Sequence, residues 1–137
     1  MTPPLDPSEV NAMLDTHWPS APCRCVELSP THALALVVPA ESALRPGGFI
    51  SGPTQFGVAD AALWFLVAGA TGVPQPMALT SDLSIRFLRP ARGTKLQARA
   101  DLERAGRRLV VGTVRVWVDE DQERPCATAQ GTYALPD

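Results

Sequence analysis

The chain lacks an excess of either charge: lysine, arginine, aspartate and glutamate make up 19% of its 137 residues and leave a formal net charge of -2. Without a cationic surplus there is no electrostatic footprint for nucleic acid, and without an acidic run there is no solvating tail. It also lacks an apolar run long enough for a membrane. The stretch Val58 to Ala70 is the candidate, but a bilayer core needs ~20 apolar residues, so the stretch reads as a buried helix. Its start, MTPPLDPSEV, has neither a basic opening nor an apolar h-region, so no secretory leader is expected and the chain is expected in the cytoplasm. Cysteines are few: Cys23, Cys25 and Cys126. The first two would share one side of a strand, but CRC with His17 and His32 far from it and from each other lacks the paired spacing of a zinc site. Reduced, structural thiols and no metal are the expectation.

What is present suits an ordinary globular chain, 45% hydrophobic, of a length that fits one domain over residues 1–137. Asp6, Pro7 and Glu9 supply a cap, a first helical position and a capping-box partner, giving a short peripheral helix to about Trp18 within residues 1–20. The core then runs over 21–137. CRCVELSP and HALALVVP read as two strands joined at SPTH, and ESALRPGGFISGP as a loop. Pro53 suits the first turn of a second helix, about five turns long, that Gly72 caps and Pro74 and Pro76 terminate. In LTSDLSIRFL, alternation puts Leu79, Ser81, Leu83, Ile85 and Phe87 on one face and Thr80, Asp82, Ser84 and Arg86 on the other. KLQARADLE repeats the device, with Leu96, Ala98, Ala100 and Leu102 inward. RRLVVGTVRVWV and CATAQGTYAL complete an antiparallel meander. The class is α+β, an antiparallel sheet wrapped around one long central helix.

Asp60 is the lone charge in FISGPTQFGVADAALWFLVAG. An isolated buried carboxylate costs several kcal/mol even after relaxation. Helical spacing puts Phe56, Trp64 and Val67 on its side and Gln55 nearly opposite. Asp60 is then either a structural acid satisfied by a facing hydroxyl or backbone group, or a group that attacks or activates water in a sheltered cleft. Ser51, Gly52, Pro53 and Thr54 form the start of the helix, where N–H groups lack helical partners and the dipole is positive. Pro53 has no N–H, so Gly52 and Thr54 are the available donors. They either stabilise an oxyanion or serve plain capping by Ser51 or Thr54. Gly52 and Asp60 lie eight residues and hence ~12 Å apart along one helix, too far to meet on one carbonyl. Two copies related by a two-fold axis would bring Asp60 of one near Gly52 of the other.

RPGGFISGPTQFGVADAA, LTSDLSIRFLRPARGTKLQARADLERAGRRLVVGTVRVW and CATAQGTYAL together resemble the hotdog-fold acyl-CoA thioesterases of the phenylacetate-pathway type, over roughly Cys25 to Leu135. The resemblance implies the hotdog fold, a homodimer joined edge to edge, often a homotetramer, and hydrolysis of an acyl-CoA thioester to a carboxylic acid and coenzyme A with no cofactor. By position, it puts the catalytic acid at Asp60, the oxyanion glycine at Gly52 and the hydroxyl that helps hold water at Thr80. Where many members have His-Gly-Gly this chain has Ser51-Gly52-Pro53, and where they have Asn it has Arg45. Arg45 is then expected to bond a carbonyl or a phosphate, Ser51 to cap the helix or bond the acyl group, and Trp64, Phe65 and Phe56 to line an acyl tunnel. A hotdog dehydratase is disfavoured because His17 and His32 lie away from the helix start. A non-catalytic acyl-CoA binding protein is the alternative, and a purely structural hotdog module a third reading, in which the helix acid would be fully bonded with no cleft beside it. Neither nucleic acid nor membrane is expected as a partner.

Overall fold

Ser51 ends the extended approach to the long helix by turning its hydroxyl onto the Thr54 N–H at 3.2 Å, and the helix α2 then runs over Gly52–Thr71 to a cap at Gly72. In the computed structural model, which describes residues 4–136, α2 lies across one face of a six-stranded antiparallel sheet. The strands, in chain order, are β1 (Cys23–Leu28), β2 (His32–Val37), β5 (Leu79–Phe87), β6 (Leu96–Ala105), β7 (Leu109–Val118) and β8 (Ala127–Ala134), with β3 (Leu44–Arg45) and β4 (Phe49–Ile50) forming a separate two-residue hairpin. The expected α+β class and wrapped helix are borne out. The segment ESALRPGGFISGP is more ordered than a plain loop: a 3-10 turn over Glu41–Ala43 leads into the β3–β4 hairpin, whose turn uses Gly47 and Gly48 at φ of +88° and +81°.

Spatial order in the sheet is β1-β2-β6-β7-β8-β5. The expected meander therefore holds for β6, β7 and β8 but not for β5, which pairs with β8 at the far edge. Residues 88–95 carry the chain back over the sheet to β6, which pairs with β2. Period-2 patterning fixes the face a strand buries and leaves its neighbour open, which is why alternation alone misplaced β5. The inward alternation of β6 is as expected, with Leu96, Ala98 and Ala100 fully buried.

The helix sits unusually close to the sheet at one place. Gly112 of β7 and Gly131 of β8 are cross-strand partners, and a Cβ on either would fall within 3 Å of Leu63 side-chain atoms. Their missing side chains let Leu63 and Leu66, both buried, settle onto the strands. At the other side, the helix α1 (Pro7–His17) carries the expected capping box between Asp6 and Glu9. It packs on the core through Val10, Met13 and Leu14. Asn11 grips the edge strand β1: its Nδ2 donates to Cys25 O and its Oδ1 accepts from Cys25 N–H, both at 2.9 Å. Among the described residues all three cysteines are free and buried, and no helix is long and apolar enough to cross a membrane.

Candidate active site

Asp60 sits in the third turn of α2, partly buried, on the wall of a cavity of 460 Å³. One of its oxygens is held: the Thr80 hydroxyl donates to Oδ1 at 2.6 Å. The acid is anchored through Oδ1 on the cavity wall, with the Tyr133 hydroxyl close enough to interact with both the carboxylate and Thr80. Tyr133 lies fully in the core and donates its hydroxyl to the Asp60 backbone carbonyl at 3.2 Å. Burial pushes that hydroxyl well above the ordinary phenol range, so it stays a donor. Cys23 shares the cavity wall, but burial, with the Asp60 charge adding to it, pushes its thiol up to about 11. A thiol that stays protonated lines the wall and does not act as nucleophile.

Thr80 reaches Asp60 because β5 breaks its own alternation. Thr80 pairs with Tyr133 and Asp82 with Thr132, which leaves Ser81 unmatched as a β-bulge. Cross-strand partners share a face, so Thr80 joins buried Tyr133 on the helix side. Strict alternation puts Thr80 opposite Leu83; the extra residue corrects this and turns Thr80, Leu83, Ile85 and Phe87 all toward α2.

Gly52 opens on a different hollow. At the first position of α2 its N–H has no helical acceptor, and it takes none elsewhere among the described residues. It lines a cleft of 450 Å³ with Ile50, Gln55, Phe87 and Arg89. The Phe87 ring stands against Gly52, 3.2 Å from where a Cβ would lie. Gln55, on the side of α2 away from Asp60, is buried and donates Nε2 to Ile50 O at 3.2 Å, which ties the helix start to β4. Within one chain, then, the helix acid and the helix-start donor face separate spaces.

The other residues expected from the sequence are divided between these spaces and the surface. Trp64 lines the Asp60 cavity, its indole N–H donating to Gln75 O at 2.8 Å. Ser51 is used as the helix cap, and shares a 3.0 Å hydrogen bond with the Thr54 hydroxyl. Phe56 is 40% exposed and lies outside the cavity. The expectation that it faces the acid's apolar wall is corrected, because that wall comes instead from α1, β2 and the connection leading to β3. Arg45, exposed on β3 opposite Phe49, also lies outside both spaces. Sequence reasoning missed Tyr133, the single tyrosine, on the inward parity of β8, and it missed Leu14 and Trp18, which α1 brings to the cavity. The first was readable from the alternation; the others depend on where α1 docks.

A sequence model of the thioesterase superfamily matches residues 47–124, which include α2, Asp60 and Gly52. The chain belongs to the thioesterase superfamily. No curated protein matches it in sequence. Among solved structures, a protein assigned as a thioesterase from Silicibacter sp. TM1040 is 30% identical, with 97% of this chain and 93% of that one covered at a TM-score of 0.84. A thioesterase from Haemophilus influenzae is 16% identical, covering 97% and 92% at a TM-score of 0.78. A point mutant of the phenylacetic acid degradation protein PaaI of Thermus thermophilus is 22% identical, covering 89% and 100% at a TM-score of 0.70. The last two establish likeness of fold, and membership of the superfamily supports thioester hydrolysis as the general chemistry of this thioesterase-family chain.

Proposed function

We propose that the protein is an acyl-CoA thioesterase of the cytoplasm whose active site is completed by a second copy of the chain. The observation that carries this reading is the position of the two half-sites along β5. This strand is the uncovered edge of the sheet, with Leu79 70% and Phe87 53% exposed at its two ends. Phe87 stands beside Gly52, and Thr80 beside Asp60. Two β5 strands paired antiparallel about Leu83, the middle of the strand, bring the Phe87 end of one copy opposite the Leu79 end of the other. Gly52 of one subunit then approaches the partner's Asp60, which no single helix allows.

In that arrangement the Gly52 N–H donates to the thioester carbonyl oxygen and takes up the charge that develops there. The partner's Asp60 attacks the carbonyl carbon directly or takes a proton from the water that attacks, while Thr80 holds its other oxygen. The C–S bond breaks, coenzyme A leaves as the thiol, and the hydroxyl of water ends on the acid. Ser51 keeps the helix start capped so that the Gly52 N–H remains free, and Arg45 supplies a cation for a phosphate near the β3–β4 hairpin. Two such dimers associating back to back would give a tetramer.

Release of free thiol from acyl-CoA substrates tests the reading. Asp60→Asn is expected to lower kcat by about 10²–10⁴. Gly52→Pro removes the donor at a helix position that tolerates proline, and is expected to be similarly impaired. Co-expressed in equal amounts, the two impaired chains regain about a quarter of wild-type activity, because half the dimers are mixed and each mixed dimer has one intact site. A mixture as inactive as its parts, or an Asp60→Asn protein as active as wild type, overturns the proposal. Saturable acyl-CoA binding with no thiol release would favour a non-catalytic binding protein.

A further inference from the structure

The cavity beside Asp60 is closed on its outer side by α1 rather than by the sheet. Leu14, 1% exposed, and Trp18, 48% exposed, supply that wall. The Trp18 ring leans on Trp64 with centroids 6.4 Å apart and planes at 37°. Trp64 is fixed by its bond to Gln75 and by stacking on Phe65 at 6.3 Å. The Trp18 backbone is pinned from both sides, its N–H to Leu14 O at 2.7 Å and its carbonyl by Ala21 N–H at 2.9 Å. Its side chain is the outermost piece of the wall, half in solvent, with no hydrogen-bond partner among the described residues.

The lining also says what chemistry the cavity refuses. Among the described residues, Asp60 is its only charged member and no cation lines it. The Thr54 hydroxyl is engaged with Ser51, the Trp64 N–H with Gln75 and the Cys23 thiol is neutral. Among the described residues, no cationic side chain in the lining is there to meet a carboxylate on an incoming group. A dry cavity of about 150 Å³ already holds benzene; the 460 Å³ here exceed a single ring roughly threefold, which suits a chain on the order of ten carbons.

We infer that this cavity is the acyl seat, that it takes an aliphatic acyl chain with no polar group at its far end, and that Trp18, the residue that ends α1, sets its depth. The inference rests on the proposed thioesterase reading and adds to it the class of acyl group and the residue that selects chain length.

Thiol release is measured for wild type, Trp18→Ala and Trp18→Phe over straight-chain acyl-CoAs from butanoyl to palmitoyl, with an ω-carboxylated chain for comparison. For wild type, kcat/KM is expected to rise about fourfold per added methylene until the seat is full and then fall. Trp18→Ala is expected to move the maximum to longer chains and raise the palmitoyl-to-octanoyl ratio about tenfold, while Trp18→Phe shifts the profile less and in the same direction. The ω-carboxylated chain is expected to be at least ~100-fold slower, since its charge would be buried without a partner. The same proteins are titrated with non-hydrolysable alkyl-CoA thioethers, followed by tryptophan fluorescence, where the ratio of affinities for long and short chains shifts in the same sense. Hydrolysis in which Trp18→Ala keeps the wild-type chain-length profile overturns the inference and leaves the activity standing. Absence of hydrolysis overturns the activity, and the thioether ratios then decide the seat: an unshifted ratio overturns it as well.

Discussion

The two edges of the sheet are treated in opposite ways by the same chain. At the β1 edge, α1 lies against the strand, Asn11 occupies both backbone groups of Cys25, and Arg24 of β1 pairs with Asp15 of α1 at 2.7 Å. At the β5 edge none of the described residues pairs with the strand's outer side, and Leu79 and Phe87 stand exposed at its ends. An open strand edge invites another strand, and proteins usually blunt it. Here one edge is blunted by a side-chain amide that imitates a neighbouring strand. The other is bare along β5, whose two ends stand beside Asp60 and Gly52. The difference separates an edge that serves stability from one that, on our proposal, serves assembly and chemistry together.

The sharpest way to break this contrast is to spoil the open edge. Leu79→Ser with Phe87→Ser removes side chains that are exposed in one chain and, on our proposal, buried between two. Each such burial is worth about 1.5–3 kcal/mol, so the dimer dissociation constant is expected to rise by at least ~10³. Sedimentation would read this directly, with activity lost at low protein concentration and returning at high. A double variant that stays dimeric would contradict the assignment of this edge.

The closed edge answers differently. Asn11→Ala strips two backbone groups of Cys25 of their partner, at a cost of about 1–3 kcal/mol. Thermal unfolding should show the loss, while dimer affinity and turnover at low temperature stay as in wild type. A change in dimer affinity instead of melting temperature would mean that β1 too is an assembly surface.

The smallest effect lies at the start of α1. The Ser8 N–H bonded to Asp6 holds that carboxyl below the usual carboxylate range. A lowered folded-state value means the cap contributes above the ordinary range and is lost as pH falls through the lowered value. Asp6→Ala is expected to mimic that loss at neutral pH, speeding amide exchange in α1 and leaving β5 to β8 unchanged. Uniform acceleration across the sheet would show that α1 and the core open as one unit.

Much of this molecule is legible in its sequence, because the signals are local. Asp6, Ser51 and Gly72 cap helices where expected, and the small apolar residues of β6 alternate cleanly inward. The site is only half legible. The isolation of Asp60 among apolar residues and the free donors at the helix start are written in neighbouring residues. What surrounds them is set by contacts distant in sequence: Trp18 reaches the cavity through the docking of α1, and Tyr133 lies 73 residues from the carbonyl it bonds. Gln55, placed correctly on the far side of α2 from Asp60, was not expected to be buried, because periodicity cannot show that the hairpin before α2 covers that side.

The unmatched Ser81 carries one more consequence. Were Ser81 itself to pair with Tyr133 in a regular ladder, the strand would keep its register from Asp82 onward, but Thr80 would shift to the outer face and its hydroxyl would leave the acid. The grip on the acid therefore turns on which of two neighbouring residues the strand leaves unpaired, with every chemical group of the site present in either case.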